Sequence, residues 1–88
     1  MKVLIPTQFE KVTKCREINL DGNTVSEVLG SLLLTFPELE NRILNKDGKI
    51  NKFLNIFVND EDVRFLDCLK TVVKENDTIT ILPSIAGG

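Results

Sequence analysis

The chain has no histidine among its 88 residues. That absence removes the commonest general base, the usual partner of a Ser or Cys nucleophile and the commonest metal ligand. A self-contained enzyme is therefore a poor reading. Cysteine is scarce too: Cys15 and Cys68 stand too far apart for a CxxC or zinc-type spacing. With no histidine beside them, they read as small buried or half-buried packing residues in a reducing compartment. Long apolar runs are also missing. The strongest, around Val28 to Phe36, falls well short of the roughly 20 residues that a bilayer needs, and Met1-Lys2 leads into a short strand-like run and a proline. A cytoplasmic protein with no membrane partner is expected. The net charge of −2, from 11 basic and 13 acidic residues, is small and mixed, and the basic residues form no stripe along the chain. No nucleic-acid partner is expected either.

What is present describes one small domain. At this length folding buries only about 60 to 65% of the surface of the unfolded chain, enough for a single core. Lys2 to Ile5 is a short β run. Cys15 to Leu20 is a second, with Ile18 and Leu20 on one face, and the turn between them lies within Pro6 to Lys11. After Asp21-Gly22-Asn23, Thr24-Val25-Ser26-Glu27 fits a capping box. Val25, Val28, Leu29, Leu32, Leu33 and Phe36 then repeat at helical spacing up to Pro37. Gly30 inside this helix costs about 1 kcal/mol relative to alanine, which points either to a close neighbour or to a tolerated weak spot.

A short helical turn is expected through Leu39 and Ile43, and a loop at Asn45 to Gly48. Phe53 to Val58 is the strongest strand, with Leu54, Ile56 and Val58 inward and Phe53, Asn55 and Phe57 outward. Asn59-Asp60 turns into a short strand at Asp62 to Phe65. Leu66 to Glu75 is irregular, supplying Leu69, Val72 and Val73 to the core. Thr78 to Leu82 alternates with Ile79 and Ile81 inward and Leu82 outward, and Pro83, lacking an N–H, is expected to stop the ladder. One helix cannot cover both faces of a sheet, so the economical fold is α+β: a five-stranded sheet with one principal helix on one face. The other face, carrying Phe53, Phe57 and Leu82, is apolar enough to expect a partner.

Side chains offer no convincing reactive site. Asp60-Glu61-Asp62 lacks the ligand spacing of a calcium loop and reads as a solvated turn. Asp47-Gly48-Lys49 is too short for a phosphate loop. No metal site is expected. The C-terminal stretch Ser84-Ile85-Ala86-Gly87-Gly88 differs in kind. At average glycine usage two terminal glycines arise by chance in roughly one chain in two hundred. An unobstructed α-carboxyl on Gly88 could be brought within about 3.5 Å of an activating phosphate, and Gly87 would let the backbone thread a narrow channel. A frayed terminus ending in glycine by accident stays open on the residues alone.

The ending Leu82-Pro83-Ser84-Ile85-Ala86-Gly87-Gly88 resembles the Pro-x-Val/Ile-Ala-Gly-Gly terminus of the small ubiquitin-like sulfur carriers of the ThiS/MoaD type. Phe53 to Phe65, together with Thr80 to Pro83, is most similar to the branch that serves thiocarboxylate-dependent cysteine biosynthesis. The resemblance implies a β-grasp fold with the first and last strands adjacent and parallel, a domain over 1–83 and a flexible Gly-Gly tail over 84–88. It also implies a carrier rather than an enzyme, with no cofactor bound by the domain itself. In that cycle a ubiquitin-activating-type (ThiF/MoeB-like) adenylating enzyme uses Mg-ATP to convert the Gly88 carboxylate to an acyl adenylate, and sulfur displaces AMP to leave a thiocarboxylate.

In the cysteine branch the sulfur passes to an aminoacrylate on a pyridoxal phosphate-dependent cysteine synthase, and a metalloprotease cleaves the adduct. In the molybdenum-cofactor branch the tail enters the large subunit of molybdopterin synthase. Leu82 matches an outward apolar residue that contacts partners, and Phe53, Phe57, Pro83, Ile85 and Ala86 complete the expected partner surface. Pro6 stands where relatives carry a bulky apolar surface residue. Ala86 replaces the basic residue that precedes the glycines of ubiquitin, a departure that weighs against a ubiquitin-like protein modifier.

Overall fold

Alternating apolar residues make five strands: β1 (Lys2–Leu4), β2 (Glu17–Asn19), β3 (Leu54–Val58), β4 (Glu61–Asp62) and β5 (Thr78–Pro83). The computed structural model describes residues 1–84, and over these the strands form one sheet in the order β2-β1-β5-β3-β4. β1 and β5 run parallel in its middle, and the other pairs are antiparallel. This is the mixed α+β sheet expected, with first and last strands as neighbours.

Short helices α1 (Glu10–Thr13) and α3 (Glu40–Ile43) flank the principal helix α2 (Val25–Thr35). The start of α2 follows from local chemistry. Thr24 Oγ1 accepts the Glu27 N–H at 3.2 Å, and the Glu27 carboxylate reaches back to the Asn23 N–H at 3.0 Å, so two donors that the helix cannot satisfy internally are paired. Its stripe of Val25, Val28, Leu29 and Leu32 is buried against Val3, Ile56, Ile79 and Ile81 in one core, while Leu33 and Phe36 sit at the margin. Pro37 opens a 3-10 turn that delivers Leu39, and α3 delivers Ile43, both fully buried.

Several connections depart from expectation. The link between β1 and β2 is not a simple turn: a 3-10 turn at Thr7–Phe9 runs into α1, closed by Lys14 at φ 62°, and puts Phe9 in the core. The second strand is correspondingly shorter than Cys15 to Leu20. β4 ends at Asp62 because the Asp62 side chain accepts the Arg64 N–H at 2.9 Å and starts a 3-10 turn, Val63–Phe65. Val72 is 70% exposed rather than buried. It bridges Thr24 in an extended segment whose side chains alternate, so burying Val73 turns Val72 outward. Cys15 is half-buried, but Cys68 is exposed and unpaired.

Gly30 has no close neighbour, since an added Cβ would meet nothing within 4 Å; the tolerated weak spot is the correct reading. The close approach is at Gly22, where an added Cβ would lie 2.8 Å from Val28 Cγ2.

Pro83 does not stop the ladder. It is paired with Leu54 inside β5, and the next residue, Ser84, donates its N–H to Phe53 O at 2.7 Å. The reason is the alternation of an antiparallel pair. Asn59 N–H to Thr78 O and Ser84 N–H to Phe53 O mark the bonded positions, so Leu54 and Pro83 face each other at a non-bonded one. The N–H that proline lacks would have pointed away from β3, toward the side that β1 leaves after pairing Leu4 with Thr80.

Candidate functional site

The outward face of the sheet is built from alternate residues of three neighbouring strands. On β3 these are Asn55 and Phe57, with Phe53 just before the strand; on β5, Thr80 and Leu82; on β1, Leu4. Cross-strand register sets Leu82 opposite Asn55 and Thr80 opposite both Phe57 and Leu4. Leu82 thus lies diagonally between Phe53 and Phe57, within reach of both rings by the spacing of an antiparallel pair. Leu82 is 44% and Phe53 54% exposed, while Phe57 and Leu4 are half-buried. A shallow cleft of about 260 Å³ opens among Phe57, Thr80, Leu82 and the Asn59-Asp60 turn.

Polar groups frame this surface. At the outer edge of β3 the Arg64 guanidinium donates to Leu54 O at 2.9 Å and to the Asn55 side-chain oxygen, with Nε 3.7 Å from Asp62. Lys52 Nζ stands over the Phe53 ring, 5.3 Å from its centroid. At the far end of the cleft, Asn59 (φ 57°) donates from Nδ2 to Asp77 Oδ1 at 3.1 Å and accepts the Thr78 N–H. The Lys74 backbone N–H, 2.8 Å from Asp77 Oδ2, is the main reason this carboxyl is held below its ordinary pKa, and the Asn59 amide adds to it. Among the described residues no three His, Cys, Asp or Glu gather as metal ligands, and no helix is long and apolar enough to cross a membrane.

The structure therefore brings Leu82, Phe57 and Phe53 together on one face, as their alternation implied. Pro83 falls on the opposite side of β5 from Leu82 and is exposed. Leu4 and Thr80 join the face without having been assigned to it, because a three-residue strand such as β1 shows too little alternation to orient itself. Ile85, Ala86, Gly87 and Gly88 lie outside the described residues. Their attachment point does not: β5 is the central strand that carries the chain toward them, and Ser84 is tied to β3.

Comparison with known proteins agrees with this arrangement. The ThiS family profile matches residues 3–88. The sulfur carrier protein CysO of Mycobacterium tuberculosis is 37% identical over 89 residues, which span 98% of this chain and 96% of the relative. Among solved structures, a chain of the Amycolatopsis orientalis BexX/CysO complex superposes with a TM-score of 0.88 at 40% identity, covering 99% of this chain and 98% of that one. The small archaeal modifier protein 1 of Methanosarcina acetivorans superposes with a TM-score of 0.86 at 31% identity, over 99% and 94%. With a β-grasp sheet, an outward apolar face at the end of the central strand and a match over nearly its whole length, the chain belongs to the ThiS family.

Proposed function

We propose that the chain is a sulfur carrier, a protein substrate rather than an enzyme, whose Gly88 carboxylate is activated and converted to a thiocarboxylate for cysteine biosynthesis. The observation that carries this reading is the family match running through residue 88, so that Ile85-Ala86-Gly87-Gly88 occupies the end of the matched region. A carboxylate resists nucleophiles until its oxygen is made a leaving group. An adenylating partner supplies this by joining the carboxylate to the α-phosphate of Mg-ATP, releasing pyrophosphate. A hydrosulfide equivalent from a sulfur donor then forms the C–S bond as the C–O bond to AMP breaks.

The domain contributes recognition. The Phe53, Phe57 and Leu82 face docks on the partner, Gly87 permits passage into a narrow site, and Ile85 and Ala86 line the passage. The acceptor is a pyridoxal phosphate-dependent cysteine synthase, with a metalloprotease releasing the product. The likeness to proteins named CysO favours it over the large subunit of molybdopterin synthase.

Intact-mass analysis of the protein from its native cell tests the reading. A species heavier by the difference between sulfur and oxygen, localised to Gly88, is expected; deleting Gly88 should abolish it and leave the fold intact. Sulfur transfer that survives the deletion would refute the assignment. A second reading, a protein modifier joined to lysines, is favoured by the likeness to small archaeal modifier protein 1. Lysine conjugates without any thiocarboxylate would establish it instead.

A further inference from the structure

A groove of about 480 Å³ lies beside the outer edge of β3, between the 49–52 loop and the segment after β4. Its apolar lining comes from Ile50 and Leu69, both half-buried against the core. Its rim carries Lys49, Lys52, Arg64 and Lys70 against the single carboxylate of Asp67. With Asp62, the ion-pair partner of Arg64, counted as well, the local excess is two positive charges on a chain whose net charge is −2. Arg64 is held in place by Leu54 O, Asn55 and Asp62. The three lysines have no carboxylate within salt-bridge distance: among the described residues the ion pairs are Lys2–Glu17, Arg16–Glu10 and Arg64–Asp62. Three lysines without an ion-pair partner around a shallow apolar groove, with only Asp67 to offset them, repel one another until a more acidic group sits between them.

We infer that this groove docks an acidic surface segment of a partner protein, with one aliphatic side chain over Ile50 and Leu69 and its carboxylates paired with Lys49, Lys52 and Lys70. Two observations favour a protein over a nucleic acid. The lining holds no aromatic ring on which a base could stack, and the chain as a whole is acidic. The groove also adjoins the end of the molecule from which the tail departs. Lys52, on its rim, lies over the ring of Phe53, and Phe53 O takes the Ser84 N–H. Identifying the partner as the protein that receives the tail rests on the sulfur-carrier reading. The groove's preference for an acidic segment does not.

The test is an amide-shift titration of the full-length protein with a blocked decapeptide of glutamates around one central leucine, beside its all-glutamine counterpart. Shifts confined to 49–52 and 64–70 are expected, with affinity about tenfold weaker for the glutamine peptide and falling as salt is raised. The double variant Lys52→Glu/Lys70→Glu should lose about tenfold while melting like the parent, since both side chains are exposed. Equal binding of the two peptides, shifts centred on the outward sheet face, an unaffected double variant, or tighter binding of an oligothymidylate would overturn the inference. Deleting Gly87 and Gly88 should leave peptide binding unchanged while ending thiocarboxylate formation, so failure of the carrier reading and failure of the groove can be told apart.

Discussion

Alanine at Gly22 and alanine at Gly30 should move stability in opposite directions, although the two positions are only one loop and two helical turns apart in sequence. Gly30 is exposed in the middle of α2, and a Cβ there meets nothing within 4 Å. The substitution therefore removes only backbone freedom from the unfolded chain and should gain about 1 kcal/mol. At Gly22 the new Cβ would stand 2.8 Å from Val28 Cγ2, 2.9 Å from Val28 N and 3.1 Å from Glu27 Cβ. The backbone nitrogen belongs to the first turn of α2 and Val28 is fully buried, so neither atom can yield without moving the helix off the sheet. Overpacking of this kind costs about 1 to 3 kcal/mol.

Urea unfolding followed by circular dichroism, with thermal melts beside it, reads both effects; for a domain of this size about 1 kcal/mol shifts the midpoint by about 4 to 8 °C. A Gly22→Ala protein as stable as the parent would refute the account of how the 21–23 loop seats α2. A Gly30→Ala protein that lost stability would mean that this helix face is covered.

Two further predictions concern the face and its margin. Leu82→Asp should leave the melting temperature nearly unchanged, because Leu82 is outward and 44% exposed, yet weaken the complex with the proposed activating enzyme by about tenfold or more, measured by calorimetry. Substantial unfolding instead would show that Leu82 supports the core. Asp77→Asn tests the lock at the end of the cleft. A carboxyl whose folded pKa lies below its unfolded value adds stability above the unfolded pKa and loses it as pH falls through the folded one. The parent should therefore be more stable than Asp77→Asn at neutral pH, and the gap should close below about pH 4. A gap that persisted unchanged in acid would assign the effect to lost geometry rather than to charge.

How far the sequence could be read depended on whether the deciding partner was near or far along the chain. Helix α2 was legible because Thr24, Glu27 and the apolar stripe act within a few residues of one another. Leu54, Ile56, Val58, Ile79 and Ile81 were legible because two-residue alternation orients a strand wherever it later pairs. Phe9 was not, being a lone apolar residue among polar neighbours with no period to betray it. Gly22 and Gly30 could not be told apart, since the difference lies in what stands beside each Cβ. Pro83 looked like a stop because its missing donor was visible and the direction of that donor was not. The basic groove was hidden for the same reason: Lys49 and Lys52 meet Arg64 and Lys70 only after the β3–β4 hairpin folds back. The role assigned to Gly87 and Gly88 rests on sequence alone, since both lie outside the described residues.

Two lengths of inner strand that their neighbours leave uncovered are each blocked at one backbone group. Strand β4 covers only Phe57 and Val58 of β3, so the carbonyl of Leu54 faces outward, and Arg64 takes it at 2.9 Å. On the other side of β5, β1 ends at Leu4, and the position that would have offered a free N–H there is Pro83. An unpaired row of donors and acceptors invites a strand from another molecule, and a β5 tip that accepted one would be held by its backbone rather than through the Phe53, Phe57 and Leu82 face. Pro83 removes a donor and Arg64 occupies an acceptor, so strand addition is disfavoured at these two places. On the proposed carrier reading, docking through side chains without strand addition keeps each contact weak enough to release, as passage from an activating enzyme to an acceptor requires.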